Sequence, residues 1–178
     1  MDPSSGPGPS ALSRHLHWLV AGLVVVIYAS MELRGWFPRG GLIRSQLHPL
    51  HQWLGLSILL LLALRLWARW RQPFGPSEPP PPAWLHRLAQ LGHLALYAFL
   101  LVMPVLGWAL VSAEGKPPSL LGFSLPALLN ADEQLAHQLE DWHELGAILG
   151  YYLIGGHLLA ALWHHFGRRD NTLRRMRW

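Results

Sequence analysis

Apolar residues in this chain gather into four blocks, each near the roughly 20 residues that a membrane-spanning helix requires. The first runs from about Leu16 to Met31 and ends in ELRGWFPRGG, where Gly and Pro stop a helix. The second begins near His51 and continues through GLSILLLLALRLWARW to Trp70, followed by the proline-rich connector QPFGPSEPPPPAW. The third, from about His86 to Val111, contains Pro104 and Gly107, which a lipid-buried helix tolerates better than a soluble one, so a kink is expected there. Ser112 to Asp141 mixes Gly, Pro, short apolar stretches and acids, and Trp142 to Trp163 forms the fourth block before the basic tail RRDNTLRRMRW. No internal repeat is evident. The pattern predicts an all-α integral membrane protein, a four-helix bundle with helices at about 14–33, 49–71, 86–112 and 141–166. These make one domain over 14–178, behind a flexible N-terminal tail at 1–13.

Composition sharpens that reading. With 51% hydrophobic and 13% charged residues over 178 positions, the chain is far poorer in charge than a soluble domain, where about a quarter of residues are charged. The formal charge of +4 does not signal nucleic-acid binding, because the arginines sit at the ends of the apolar runs rather than in a stripe. Trp18, Trp36, Trp67, Trp70 and Trp163 also lie near those ends, where an indole prefers the membrane interface. The absence of Cys excludes disulfides, covalent CxxCH haem attachment, thiolate clusters and Cys-ligated zinc, so any metal must be held by His or carboxylate. The first apolar run has no A-x-A-like site after it and is expected to be retained as a helix.

Charge asymmetry predicts orientation. With the N-terminus cytoplasmic, ten basic residues fall on that side (Arg14, Arg65, Arg69, Arg71, Arg87, Arg168, Arg169, Arg174, Arg175, Arg177) and four on the other (Arg34, Arg39, Arg44, Lys116). Both termini are therefore expected inside.

Eleven histidines are the unusual chemistry, since an ionisable group at bilayer depth is costly enough to suggest function. His143 and His157 are 14 positions apart on the fourth helix, about 21 Å of rise with nearly the same facing. Gly150 lies midway on that face with Gly146 beside it, spacing that would clear room for two bulky planar groups. With the termini inside, His17 shares the depth of His157, and His51 shares that of His143. Charge-derived topology thus pairs His17 with His157 and His51 with His143, and Gly55 clears space one turn from His51. Facing imidazoles in lipid, with no thiolate and no matching carboxylate, suit a haem iron ligated on both sides, which leaves no open position and favours electron transfer. Arg65, 14 positions after His51, shares its face at the opposite depth and is expected to pair with propionates of the cytoplasmic haem. His93, His86, His48, His15 and His137 have no such matching and read as structural or interfacial. His48 and His51, spaced i, i+3, offer an alternative zinc site with an outer carboxylate. His164, one heptad beyond His157, is either a hydrogen-bond donor to a quinone headgroup or a plain interfacial histidine beside His165.

Several motifs in fixed order complete the picture: HW at His17 and Trp18, MELRGWFPR, HQWLGLSILL, LGHLALYAFLLVMPVLG, DWHE, GYYLIGGH with HH after it, and DNTLRRM. From about Arg14 to Met176 they resemble the bacterial cytochrome b561 family, most of all the branch that includes superoxide oxidase. The resemblance implies four helices, two haem b groups and an inner-membrane location. It places the family's four axial ligands on His17, His51, His143 and His157, and quinone approach at the cytoplasmic haem makes His164 the better quinone candidate. The Met1 to Ser13 extension is unlike the family, and the tail is less basic.

The expected activity is that of a superoxide:ubiquinone oxidoreductase: superoxide gives electrons to the outer haem and ubiquinone takes them from the inner one, with Arg34, Arg39, Arg44 and Lys116 steering the anion. A second reading keeps the haems in an electron-carrying subunit for a dehydrogenase or hydrogenase partner, docked at an outer face built from Leu120 to Leu129. A third is a non-redox scaffold or transporter whose histidines bind protons or zinc.

Overall fold

The computed structural model describes residues 8–73, 75, 79–120 and 123–177. Its framework is four helices, α1 (Ala11–Arg34), α2 (Leu42–Arg71), α3 (Ala83–Ala113) and α4 (Glu133–Trp163), all long and apolar enough to cross a membrane. Their outward faces carry large exposed hydrophobics such as Val25, Leu60, Leu94 and Leu159. That is the arrangement expected when lipid, not water, surrounds a helix whose backbone groups are already paired.

The helix ends differ from the sequence expectation in ways that local chemistry explains. Of the tail expected over 1–13, positions 1–7 lie outside the described residues, and α1 already begins at Ala11, where the Ser10 hydroxyl accepts the Ser13 N–H at 3.1 Å. α2 starts at Leu42 rather than near position 49, and Pro49 sits inside it. Proline there removes one N–H from the ladder without ending the helix, the tolerance expected near a bilayer. α4 starts at Glu133 rather than near 141, because the Asp132 side chain caps it by accepting the Leu135 N–H at 3.0 Å and Glu133 complements the helix dipole. At 31 residues and 1.5 Å per residue, α4 is about 46 Å long, so its acidic first turns stand clear of a hydrocarbon layer of about 30 Å.

Helices adjacent in sequence pack against each other, α1 on α2, α2 on α3 and α3 on α4. Among the described residues α1 and α4 are instead joined across side chains: the Tyr28 and Tyr151 rings lie 4.5 Å apart, the Tyr28 hydroxyl donates to the Ala147 carbonyl at 2.9 Å, and the Tyr151 hydroxyl donates to Glu32 at 2.7 Å. The start of α1 and the end of the described chain lie at one end of the bundle, where Trp18 Nε1 donates to the Met176 carbonyl at 2.8 Å.

At the far end the α3–α4 connection folds over the bundle. It adds one element to the expected all-α architecture, a minimal antiparallel pair of β1 (Ser119–Leu120) and β2 (Phe123–Ser124), with Ser119 opposite Ser124. Indole donors moor this cover: Trp53 Nε1 reaches the Ser119 carbonyl at 3.1 Å and Trp108 Nε1 the Pro126 carbonyl at 3.0 Å. A small core of Ala113, Ala136 and Leu139 lies beneath it.

Candidate functional site

Two pairs of imidazoles meet inside the bundle. His51 of α2 and His143 of α4 face each other with ring centres 6.1 Å apart, and His17 of α1 faces His157 of α4 at 6.3 Å. A metal–imidazole bond of about 2.0–2.1 Å, with the ring centre about 1.1 Å behind the nitrogen, puts two imidazoles on opposite sides of one ion at about 6 Å between centres. Both pairs stand at that span.

The hydrogen bonds around the first pair suit ligation. His51 Nδ1 lies 3.1 Å from the Ile27 carbonyl, so Nδ1 carries the proton and donates it, leaving Nε2 as the lone-pair nitrogen. Ser30 Oγ, 3.4 Å from the same Nδ1, donates to the Ile27 carbonyl as well. The pair lines a cavity of about 560 Å³ with Gly55, Met103, Gly107 and Tyr28, within the range of about 300–1,000 Å³ typical of cofactor pockets. His17 Nδ1 and His143 Nδ1 are buried without a hydrogen-bond partner, a cost that a soluble core would not leave standing. Four nitrogen donors in two facing pairs, with no thiolate, therefore fit two bis-imidazole haems.

Glycine positions divide into two kinds. Gly55 opens on the cavity, and a β-carbon there would meet nothing within 4 Å. Gly146 and Gly150, expected to clear space for planar groups, are instead met by side chains: Met103 fills the first gap, and Tyr28 with Phe99 fills the second. The gap the His143 ring itself requires is on α3, where a β-carbon on Gly107 would come within 3.1 Å of His143 Cε1.

Around the second pair, the Arg65 guanidinium lies over the Tyr97 ring at 5.8 Å and close enough for its charge to reach both His17 and His157. His93, read from sequence as structural or interfacial, proves to stand beside His157 with ring centres 5.8 Å apart. Packing of α3 on α4 brings it there, and spacing along one helix carries no trace of that. The zinc alternative at His48 and His51 gains no third ligand, since among the described residues no three His, Asp or Glu side chains converge as a metal site.

His164 lies beyond the second pair, at the end that holds the start of α1. Its Nδ1 is 2.5 Å from Asp170 Oδ2, and the Asp170 side chain is fully buried. Burial would raise the Asp170 pKa, but hydrogen bonds from His164 and Thr172 outweigh it and hold the carboxyl below its ordinary value. Sequence reasoning missed Asp170, which stands in a basic tail and looks like a solvated turn residue.

At the far end, carboxylates outnumber cations around the cavity. Glu32, Glu114, Glu140 and Glu144 line it with Arg34. Arg44 is engaged in the α1–α2 turn, donating to the Arg34 carbonyl at 2.7 Å and the Phe37 carbonyl at 3.1 Å.

Comparison with known proteins finds one family and several relatives. The family model described as prokaryotic cytochrome b561 matches residues 10–178. Cytochrome b561 homolog 1 of Escherichia coli (strain K12) is 39% identical over 162 residues, covering 91% of this chain and 92% of that protein. The probable superoxide oxidase CybB of Yersinia pestis is 36% identical over 167 residues, covering 94% of each. Cytochrome b561 homolog 2 of Escherichia coli (strain K12) is 33% identical over 174 residues, covering 93% of this chain and 88% of that protein.

Proposed function

Because this chain belongs to the prokaryotic cytochrome b561 family, a family of haem b-binding membrane electron-transfer bundles, we propose that it takes electrons from superoxide on the outer side of a bacterial inner membrane and delivers them to ubiquinone on the cytoplasmic side. Two haem b groups are assigned, one held by His51 and His143 and the other by His17 and His157. The observation that carries this assignment is the pair of imidazole separations, 6.1 and 6.3 Å, at two levels of one bundle. Support for superoxide as donor is the name of the Yersinia pestis relative, at 36% identity. Support for the orientation is the excess of arginine at the end that holds the termini.

Haem b, when bound, supplies a reversible one-electron iron couple. The protein's own residues set its surroundings. Held between two imidazoles, an iron would have no position open for oxygen. The Ile27 carbonyl, by accepting from His51 Nδ1, holds that ring in the ligating tautomer and makes Nε2 more basic. Arg65 offers a guanidinium for the carboxylates of the cytoplasmic haem. Arg34 is a cation lining the cavity, and the glutamates that line it too limit how far an anion is drawn in. His164 is assigned to the quinone headgroup.

The acid-rich lining also favours a second reading, in which a dehydrogenase or hydrogenase partner is the donor and docks on the covering loop, where Leu128 and Leu129 are exposed. Stopped-flow spectroscopy of the purified protein separates the two. The first reading predicts low-spin b-type haem that superoxide reduces and ubiquinone reoxidises. Haem reducible by dithionite but indifferent to superoxide would reject that donor and favour a protein partner.

A further inference from the structure

The chain makes an unusual reversal to bury one carboxylate. After α4 the backbone loosens into a π-turn, His164–Arg168, a conformation found disproportionately at functional positions. Arg169 then adopts a left-handed conformation with φ of 55°, costly for a residue with a β-carbon and retained only where the surroundings enforce it. The result is that Asp170 doubles back beneath His164. Its Oδ2 sits 2.5 Å from His164 Nδ1 and 3.4 Å from Arg168 Nε, while Oδ1 accepts the Thr172 N–H at 3.0 Å. The tail that follows is fastened twice, by Trp18 to the Met176 carbonyl at 2.8 Å and by Arg175 to the Gly75 carbonyl at 2.9 Å.

A turn of this kind would close equally well on an asparagine, whereas a fully buried carboxylate is expensive unless it is paired. The pairing has a chemical consequence. With its Nδ1 proton held by Asp170, His164 can exchange protons only at Nε2. His164 is seven positions beyond His157 on the same helix, about 10.5 Å along the axis. It therefore stands between the second imidazole pair and the water at the terminal end, with 13% of its side chain exposed.

We propose that His164 and Asp170 form a proton-delivery dyad for quinone reduction, with His164 the proton donor and Asp170 the positioning residue. This rests on the quinone reading above. Reduction of a quinone to a quinol takes up two electrons, which the proposed electron transfer supplies, and two protons. Twice for each quinone, Nε2 of the Nδ1–H tautomer takes a proton from water at the cytoplasmic face, and that Nε2–H bond then breaks as an O–H bond forms on the quinone. The sum is one quinone, two electrons and two protons giving one quinol.

The test compares two acceptors on dithionite-reduced holoprotein: a short-chain ubiquinone, which must be protonated, and ferricyanide, which takes only an electron. Asp170→Asn should lower the ratio of quinone to ferricyanide oxidation rates by at least about tenfold, with Asp170→Glu recovering part of it. His164→Gln, which keeps a polar side chain but cannot carry the proton, should lower the ratio as far. Independently of turnover, ¹⁵N shifts of His164 should report a single Nδ1–H tautomer in the wild type and a mixture in Asp170→Asn. Wild-type ratios in both variants would overturn the dyad and leave quinone as acceptor. Wild-type protein inert to quinone yet oxidised by ferricyanide would overturn the acceptor reading and the dyad with it.

Discussion

The ring of His143 leans on the backbone of α3 at Gly107, where an added β-carbon would lie 3.1 Å from Cε1. That contact is tight enough that the imidazole must shift by a few tenths of an ångström if the glycine is replaced. Gly107→Ala is therefore expected to broaden or shift the spectrum of one haem, and Gly107→Val to lower its occupancy. Gly55→Ala, facing the same cavity with nothing within 4 Å, should bind haem as the wild type does. Haem content and low-temperature spectra of the three variants check the contrast.

Removing a ligand acts on one level only. His143→Ala should lose the haem shared with His51 and keep the one between His17 and His157, halving the haem per chain measured as pyridine haemochrome. The reciprocal His17→Ala should leave the other half. Full haem retention in either variant contradicts the pairing.

Arg65 tests the electrostatics of the second level. A guanidinium close to His17 and His157 favours the reduced, less positive iron, so Arg65→Met should lower one midpoint potential by on the order of tens of millivolts and leave the other nearly fixed. A redox titration that moves both potentials equally, or neither, argues against Arg65 belonging to one haem.

Acid should loosen the tail. The Asp170 carboxyl is held below its ordinary value of 3.8. A group whose folded pKa is depressed contributes stability above its unfolded value, and that stability is lost as pH falls through the lower folded value. Hydrogen-exchange protection of the Thr172 amide, which donates to Asp170 at 3.0 Å, should therefore fade below pH 3.8, and Asp170→Asn should remove that pH dependence.

What the sequence carried depended on whether one helix was enough to read it. Four apolar blocks mark the spans because lipid imposes length and apolarity on each helix separately. The spacing of His143 and His157 places two imidazoles on one face because helical rotation repeats. Contacts between helices are of another kind. His93 comes beside His157, and Gly107 beside His143, only through the packing of α3 on α4. The acids from Asp132 to Asp141 read as loop because a hydropathy pattern stops at the edge of the hydrocarbon, whereas the helix, capped by Asp132, continues into water. Asp170 was hidden because its burial depends on the left-handed backbone at Arg169, a residue type that does not advertise that conformation.

The most direct test of the central claim, two haems each held by a facing pair of histidines, is the haem stoichiometry and electron paramagnetic resonance of the oxidised wild-type protein. Two haem b per chain, both low-spin as bis-imidazole ligation requires, is the predicted result. One haem per chain, or a high-spin signal from an iron with an open position, would contradict it.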